Sequence, residues 1–229
     1  MKLNNKELYH LFSEKGVHHL YHANTVRTSR TFIKQGGLMS RGAVELNGLP
    51  QTGQETDEID RLFNIWNDVF LDTVDLHNYF GRQNYYGPIV FKLSTDFLIE
   101  TDFEIWVTKD NPKYWTEAMT TEQKYFQSVQ ELRDSWDAYQ RQRKMTTIKN
   151  VVDAVLFDYV EEVIVDNPNV QNNQNGIIYF NQAVTNLKQT LLINPPLKSK
   201  FSTRTCNGCY CKSNYINQVS ITDLNRLFL

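Results

Sequence analysis

Hydrophobic and polar positions recur along the chain with spacings that predict both helices and strands. Apolar residues at three- and four-residue steps predict helices over residues 4–15, 27–35, 55–80, 116–140 and 181–192. Runs rich in β-branched and aromatic residues predict strands over 18–23, 85–93, 103–108, 151–157, 159–165 and 176–180. Helices and strands interleave irregularly, without a steady βαβ rhythm. The pattern therefore predicts an α+β fold rather than a doubly wound parallel sheet.

The predicted helix over residues 55–80 has the clearest amphipathic pattern. Its apolar face carries residues at helical spacing: Ile59, Leu62, Phe63, Trp66, Phe70, Thr73, Val74 and His77. The opposite face is acidic, because seven acids and one arginine lie between Glu55 and Asp75. The preceding helix is expected to end at Gly36-Gly37, since glycine tolerates the left-handed conformation that follows a helix C-terminus.

Composition narrows the classes of protein. The 229 residues are 41% hydrophobic, enough for one sizeable core. Three cysteines cannot form an even disulfide framework, and no apolar run approaches the roughly 20 residues that span a bilayer. The N-terminus has no signal-peptide core. We therefore expect a soluble, cytoplasmic protein without a membrane partner. The net charge of −2 argues against tight, sequence-independent binding of duplex DNA.

A local basic segment modifies that view of charge. Arg141, Arg143, Lys144 and Lys149 occur with no acid between them, and Trp136 and Tyr139 lie just upstream. Such a segment is commonly a solvated helix end. Its alternative role is contact with single-stranded nucleic acid, where cations follow the phosphates and aromatic rings stack on bases.

The three cysteines form the spacing Cys206-x-x-Cys209-x-Cys211. A structural zinc site needs four ligands, usually as two separated pairs, and no histidine lies downstream. The five histidines all precede this segment and would have to fold back to reach it: His10, His18, His19, His22 and His77. The sequence therefore favours thiols in a reducing compartment and no metal, with zinc as the alternative.

Several short motifs follow one another in a recognisable order. They are His22-Ala23-Asn24, Gly36-Gly37-Leu38, Tyr86-Gly87-Pro88, Glu162-Val163-Ile164-Val165, and Gly176–Phe180 with the helix after it. Over about residues 18–192 the chain resembles the ADP-ribosyltransferase fold, and is most similar to the DarT family of DNA ADP-ribosyltransferase toxins. In that family a strand of the form Ala-Glu-(apolar)₃ carries the catalytic glutamate, and a further strand and a helix close the domain. Here Glu161 replaces the alanine.

The resemblance implies a mixed, split β-sheet core with flanking helices, and NAD as a substrate. It implies Glu162 as the catalytic carboxylate, with Glu161 as the alternative. It also implies Arg82 as a catalytic residue that contacts the pyrophosphate or helps to deprotonate the target base. The residues implied for NAD binding are His22, Asn24, Thr25, Gly37, Leu38, His77 and Tyr86. The segment expected to contact the target contains Trp136, Tyr139, Arg141, Arg143 and Lys144.

The resulting hypothesis is a mono-ADP-ribosyltransferase that modifies a nucleic-acid base, with single-stranded DNA favoured over RNA. The resemblance further implies a toxin or defence effector that a macrodomain-type antitoxin neutralises. The alternatives are an NAD glycohydrolase, a protein-directed transferase or an RNA 2′-phosphotransferase on the same fold, and a non-enzymatic domain that binds a partner through its acidic helix. We expect a transferase-like domain over 1–196 and a cysteine-containing tail over 197–229, packed on or extending that domain.

Overall fold

One seven-stranded sheet organises the part of the chain that the computed structural model describes, which is residues 2–137, 144–171, 176–205 and 208–229. Its strands are β1 (His19–Asn24), β2 (Val69–Asp72), β3 (Ile89–Ser94), β4 (Ile105–Val107), β5 (Met145–Ile148), β6 (Val160–Asn167) and β7 (Phe201–Thr205). Their order across the sheet is β4-β5-β2-β1-β3-β6-β7. Neighbouring strands are antiparallel except β6 and β7, which are parallel.

Twelve α-helices in the described ranges flank this sheet. They are α1 (Asn5–Glu14), α2 (Val26–Gln35), α3 (Arg41–Leu46), α4 (Asp57–Leu62), α5 (Leu76–Phe80), α6 (Phe97–Glu100), α7 (Thr121–Lys124), α8 (Val129–Asp134), α9 (Tyr179–Leu191), α10 (Pro195–Lys198), α11 (Cys211–Gln218) and α12 (Ile221–Phe228). Helices α2, α9 and α12 pack against one another, and α1 packs against α6 and α8. None of the described helices is both long and apolar enough to cross a bilayer. The α+β class and the mixed sheet confirm the fold predicted from the sequence.

The sheet divides between β1 and β2. These strands share a single pair of facing residues, Tyr21 and Asp72. Continuing that register would pair Ala23 with Phe70 and Asn24 with Val69, but the strands separate before those pairs form. By contrast, β1 and β3 stay paired along the whole of β1, from His19 to Asn24. A cleft therefore opens on one side of β1 only.

Two glycines of the sequence motifs allow close backbone approach. Gly87 has a φ of 142°, and a Cβ there would lie 2.2 Å from the carbonyl oxygen of Asn24. A Cβ on Gly37 would lie 2.4 Å from the amide nitrogen of Val155. The next residue, Leu38, forms an isolated antiparallel β-bridge with Val155. These positions exclude any side chain, and they hold the ends of β1 and α2 against their neighbours.

The predicted helix over residues 55–80 is wrong, since this segment forms α4, β2 and α5. Helix α4 ends before Asn64, which adopts a left-handed conformation with a φ of 56°. The apolar residues that follow serve the sheet, because Val69 and Leu71 of β2 are buried in the main core. The run from Ile65 to Leu71 is compatible with either element on periodicity alone, and pairing with β5 decides it.

Other predicted elements also need correction. Residues 116–140 are not mostly helical, because their described part holds only the short helices α7 and α8. Residues 151–157 form no strand, and Leu156 there has a φ of 72°. Residues 176–180 contribute one isolated bridge, at Ile178, before α9 begins at Tyr179. Strands β2, β5 and β7 were not predicted from the pattern.

The tail after residue 197 contributes both to the sheet and to the core. Strand β7 pairs in parallel with β6. Leu224, Leu227 and Phe228 of α12 are buried in the same cluster of apolar residues as the sheet. The aromatic ring of Phe228 lies 5.6 Å from that of Tyr179 on α9.

Candidate active site

The separation of β1 from β2 creates a cleft that encloses about 870 Å³, part of it open to solvent. The walls come from β1, α2, β2, β5 and the loops around them. The lining side chains used below are His22, Asn24, Arg41, Gln51, Asp60, Asp68, Asp72, Tyr86, Asn111 and Met145.

His22 spans the gap between the separated strands. Its Nδ1 atom lies 2.9 Å from the carbonyl oxygen of Phe70, so Nδ1 carries the proton and donates. Its Nε2 atom lies 3.3 Å from the side-chain amide nitrogen of Asn24, which donates to it. Burial lowers the pKa of His22, against a smaller opposing effect of the Phe70 carbonyl. The ring is therefore neutral at pH 7 and fixed in one tautomer.

Asn24 and Thr25 connect this histidine to the start of α2. The side-chain oxygen of Asn24 accepts a hydrogen bond from the amide of Thr25. The Thr25 hydroxyl caps α2 by accepting from the amide of Thr28, and it donates to Thr52 at 2.8 Å. Thr25 is fully buried and does not line the cleft. Its side chain caps α2 and contacts Thr52, and only its main-chain amide orients Asn24.

Arg41 is a cleft residue that the sequence analysis missed. Its Nη2 atom lies 2.5 Å from a carboxylate oxygen of Asp57, and its Nη1 donates to the carbonyl oxygen of Thr52 at 2.9 Å. Within the described residues, its buried Nε and the buried Oε1 of neighbouring Gln51 have no hydrogen-bond partner. Arg41 could have been noticed in the sequence from its position. It directly follows Ser40, the N-cap of α3, and lies shortly after the Gly36-Gly37-Leu38 motif.

Three aspartates line the cleft. Burial, together with the negative charge of Asp57, raises the pKa of Asp60 to about 7. Asp68 is held by an ion pair with Lys149 at 2.5 Å and by the amide of Asn150. Asp72 is 6% exposed and ends β2, directly opposite Met145 of β5. A carboxyl group that titrates near neutrality and a buried carboxylate therefore face the same space.

Glu162 does not line this cleft. It lies on β6, three strands from Asp72, which corresponds to about 14 Å at the usual strand spacing. Glu161 is exposed and pairs with His19 at 2.8 Å and with Lys92 at 3.8 Å. The structure thus groups His22 and Asn24 with aspartates rather than with either predicted glutamate.

The remaining residues predicted to bind NAD occupy different places. Tyr86 lines the cleft, and its hydroxyl accepts a hydrogen bond from Asn111. Gly37 and Leu38 pack against the segment around Val155 and do not line it. His77 lies on α5, 3% exposed, with its Nδ1 atom 2.9 Å from Asp166. It is not part of the cleft.

A second cavity, of about 1,430 Å³, continues from the cleft past Tyr86. Arg82 lies here, with its guanidinium 4.4 Å from the ring centre of Tyr85 and 5.0 Å from that of Phe80. Lys113 and Arg226 add positive charge, and the aromatic side chains of Tyr85 and Tyr114 are exposed. Asp223 and Glu55 lie at the same cavity, so its charge is mixed.

Two residues of the segment predicted to contact nucleic acid, Trp136 and Lys144, are buried. Trp136 is 7% exposed and packs edge-on against Phe12. Lys144 is 1% exposed, and its ammonium group donates to the carbonyl oxygen of Trp136. Both side chains belong to the interior, which corrects their predicted role in stacking on bases and contacting phosphates. Tyr139, Arg141 and Arg143 lie outside the described residues.

The strand order and the cleft between β1 and β2 identify the fold. The chain has the ADP-ribosyltransferase fold, with a cleft at the division of its sheet. Its structure is similar to that of DarT from Thermus sp. 2.9 in complex with ADP-ribosylated single-stranded DNA, with a TM-score of 0.50 and 14% sequence identity. The match covers 86% of this chain and 96% of the DarT chain. No protein-family model matches the sequence, and no curated protein is similar to it.

Proposed function

We propose that this protein is an ADP-ribosyltransferase that binds NAD in the cleft between β1 and β2 and transfers ADP-ribose to a base of single-stranded nucleic acid. The observation that carries the proposal is the cleft itself, with a fixed neutral histidine, an arginine and buried carboxylates in an ADP-ribosyltransferase fold. The DarT structure that this fold resembles holds ADP-ribosylated single-stranded DNA.

The polar atoms of the cleft suit a dinucleotide. Arg41 Nε and Gln51 Oε1 are buried without a partner among the described residues, and such atoms cost free energy unless a ligand satisfies them. We assign Arg41 to the pyrophosphate, because a guanidinium binds phosphate oxygens with charge-assisted hydrogen bonds. His22 and Asn24 are fixed by each other and would hold the nicotinamide-ribose half.

Asp72 is the carboxylate that we propose for catalysis. In the DarT family the glutamate strand precedes one further strand and a helix. Here β6 leads to α9 with no named strand between them in the described part, whereas β5 precedes both β6 and α9. The glutamate strand therefore corresponds to β5, which begins at Met145. Asp72 is the residue directly opposite Met145 on β2, so it supplies a carboxylate at almost the same point of the sheet.

The proposed roles follow from charge and position. Asp72 would accept a hydrogen bond from a ribose hydroxyl and stabilise positive charge on the sugar as the bond from C1′ to nicotinamide breaks. Nicotinamide leaves with the electron pair of that bond. An amino or ring nitrogen of the target base forms the new bond to C1′ and loses a proton. Asp60 lines the same cleft and has a pKa raised to about 7, so its carboxylate would accept that proton.

The second cavity is the proposed path for the nucleic acid. Its exposed aromatic rings at Tyr85 and Tyr114 can stack on bases, and Arg82, Lys113 and Arg226 can contact phosphates. A base reaches the cleft only when it is unpaired, since chemistry on a base requires it outside the stack. This path takes over the role that the sequence analysis gave to residues 136–144.

The test compares Asp72→Asn with Glu162→Gln, because the two variants separate the geometric assignment from the sequence-based one. The protein is incubated with labelled NAD and single-stranded DNA or RNA oligonucleotides, and label on the nucleic acid is measured. We expect Asp72→Asn to lose about 10²-fold or more in rate, as for removal of one electrostatic stabiliser. Glu162→Gln should remain close to the wild-type rate.

Opposite results for the two variants would contradict the assignment of Asp72 and support Glu162. A thermal shift by NAD, measured on Asp72→Asn, checks that the variant folds and binds the dinucleotide.

Release of free ADP-ribose without labelled nucleic acid would identify a glycohydrolase, and labelled protein would identify a protein-directed transferase. No reaction of NAD and no thermal shift would favour a non-enzymatic interaction domain. The toxin role and a macrodomain-type antitoxin stay predictions, and removal of the label by a macrodomain hydrolase would test the latter.

A further inference from the structure

A cluster of metal-binding side chain types lies away from the cleft, where the tail meets α5. His77, Cys209 and Cys211 each place one potential ligand atom within 4.8 Å of the others. His77 and Cys211 are buried, and Cys209 is partly buried. The two sulfur atoms are 3.0 Å apart, well beyond the disulfide bond length of about 2.05 Å.

We propose that His77, Cys209 and Cys211 bind a zinc ion that fastens the tail to the sheet domain. One imidazole nitrogen and two thiolates form a borderline-soft ligand set, which suits zinc and not magnesium or calcium. A tetrahedral ion with bonds of about 2.3 Å would separate the two sulfurs by about 3.8 Å. The present arrangement therefore needs only a small outward movement of the cysteines.

The surroundings of His77 are those of a metal ligand. Its Nδ1 atom is engaged by the carboxylate of Asp166, so Nε2 is the atom that would coordinate the ion. Asp166 is in turn held by Arg204 Nε at 2.6 Å. A carboxylate behind a ligating histidine fixes the ring orientation and tautomer, and it is a regular feature of zinc sites.

The described side chains supply three ligands, which leaves the fourth position of a tetrahedral ion to a water molecule. The sequence favoured thiols without a metal because no histidine follows the cysteines, but the fold brings His77 to them from upstream.

The position of this site gives the ion a structural role. His77 is on α5, and Cys211 begins α11, whose end and successor α12 form part of the second cavity. The residue after α5 and the residue before α11 are also joined by a main-chain hydrogen bond, from the amide of Tyr210 to the carbonyl oxygen of Gly81. A bound zinc ion would hold the wall of that cavity in place, independently of whether the protein transfers ADP-ribose.

The test is the metal content of the full chain, purified without chelators from cells supplied with zinc. We expect about one zinc ion per chain, with binding coupled to folding. His77→Gln and Cys211→Ser should each lose the ion, whereas His18→Gln, at an exposed histidine, should retain it. A chelator should lower the Tm of the wild-type chain and leave that of Cys211→Ser unchanged.

Replacement of zinc by cobalt gives a readout that does not depend on stability. Two thiolate ligands should produce tetrahedral Co²⁺ absorption bands and a thiolate charge-transfer band, and both should disappear in Cys209→Ser. Circular dichroism shows whether each variant is folded. A folded wild-type chain without metal, or a disulfide among the cysteines found by mass spectrometry after alkylation, would overturn the proposal.

Discussion

At the scale of single residues, the cleft is defined by groups whose protonation the fold controls. Burial holds His22 neutral by lowering its pKa, and donation to the Phe70 carbonyl fixes which ring nitrogen carries the proton. Asp60 is affected in the opposite way, since burial raises its pKa to about 7. A neutral imidazole and a carboxyl group that titrates near pH 7 therefore both face the proposed NAD site.

Asp60 provides a prediction about pH. Below its unfolded pKa of about 4, Asp60 is protonated in both states and does not affect folding. Between about pH 4 and pH 7 the unfolded state loses this proton first, so the contribution of Asp60 to stability falls as the pH rises, and it stays low above pH 7. Asp60→Asn should remove this loss. We expect the variant to be more stable than wild type at pH 8 by at least about 1 kcal/mol, and equally stable at pH 4.

Urea unfolding of wild type and Asp60→Asn at the two pH values measures this difference. Glu58→Gln is the matched control, because Glu58 is exposed on the same helix. An equal change in both variants would mean that helix charge, and not burial of Asp60, determines the effect.

Some residues that line the cleft could be anticipated from local sequence, but the aspartates that line it could not. His22-Ala23-Asn24 and Tyr86-Gly87-Pro88 were found because each motif occupies consecutive residues, and His22, Asn24 and Tyr86 line the cleft. Glu162 was selected because Glu162-Val163-Ile164-Val165 matched a local pattern. Whether β5 or β6 borders β2 depends on pairing between distant strands, which no local pattern contains.

At the scale of elements, amphipathic segments with their own caps were predicted well. Helix α2 ends at Gly36, as expected from the sequence, whereas its N-cap Thr25 was not predicted. The prediction of one helix over residues 55–80 was wrong because strand β2 has only four residues, too few to show a strand periodicity. Its pairing with β1 and β5 stabilises it. Short strands of this kind depend on tertiary contacts more than on propensity.

The close approach of Gly87 to the backbone of Asn24 can be tested by substitution. Gly87→Ala should lower the free energy of unfolding by about 2–4 kcal/mol, because the strained φ and the contact with Asn24 each cost about 1–3 kcal/mol. Gly48→Ala is the matched control: its φ is 61°, and a Cβ there would meet nothing within 4 Å. We expect about 1 kcal/mol for that change. Similar losses in both variants, measured by urea unfolding, would contradict the close approach.

At the scale of the whole molecule, the tail is part of the main core. Phe228 is fully buried between Tyr179 and Tyr215, so helices α9, α11 and α12 share one set of packed rings. The sequence suggested a tail packed on or extending the domain, and its apolar positions in α12 lie in the same cluster as the sheet. We therefore expect the tail to unfold together with the rest of the chain.

Phe228→Ala tests that expectation. Removal of a fully buried phenylalanine side chain should cost about 3–5 kcal/mol and shift a single cooperative transition to lower temperature. Ile216→Ala, at an exposed position of α11, should change stability by less than about 0.5 kcal/mol. A separate early transition in Phe228→Ala, seen by calorimetry, would instead show that the tail folds as its own unit.

The single contact between β1 and β2 has a consequence for ligand entry. A molecule that enters between Asn24 and Val69 breaks no rung of the sheet ladder, because that part of the ladder does not form. The backbone around the cleft is ordered when the protein folds, so ligand binding does not carry the entropic cost of ordering it. We therefore expect the free and liganded proteins to share the same sheet geometry, with changes confined to side chains.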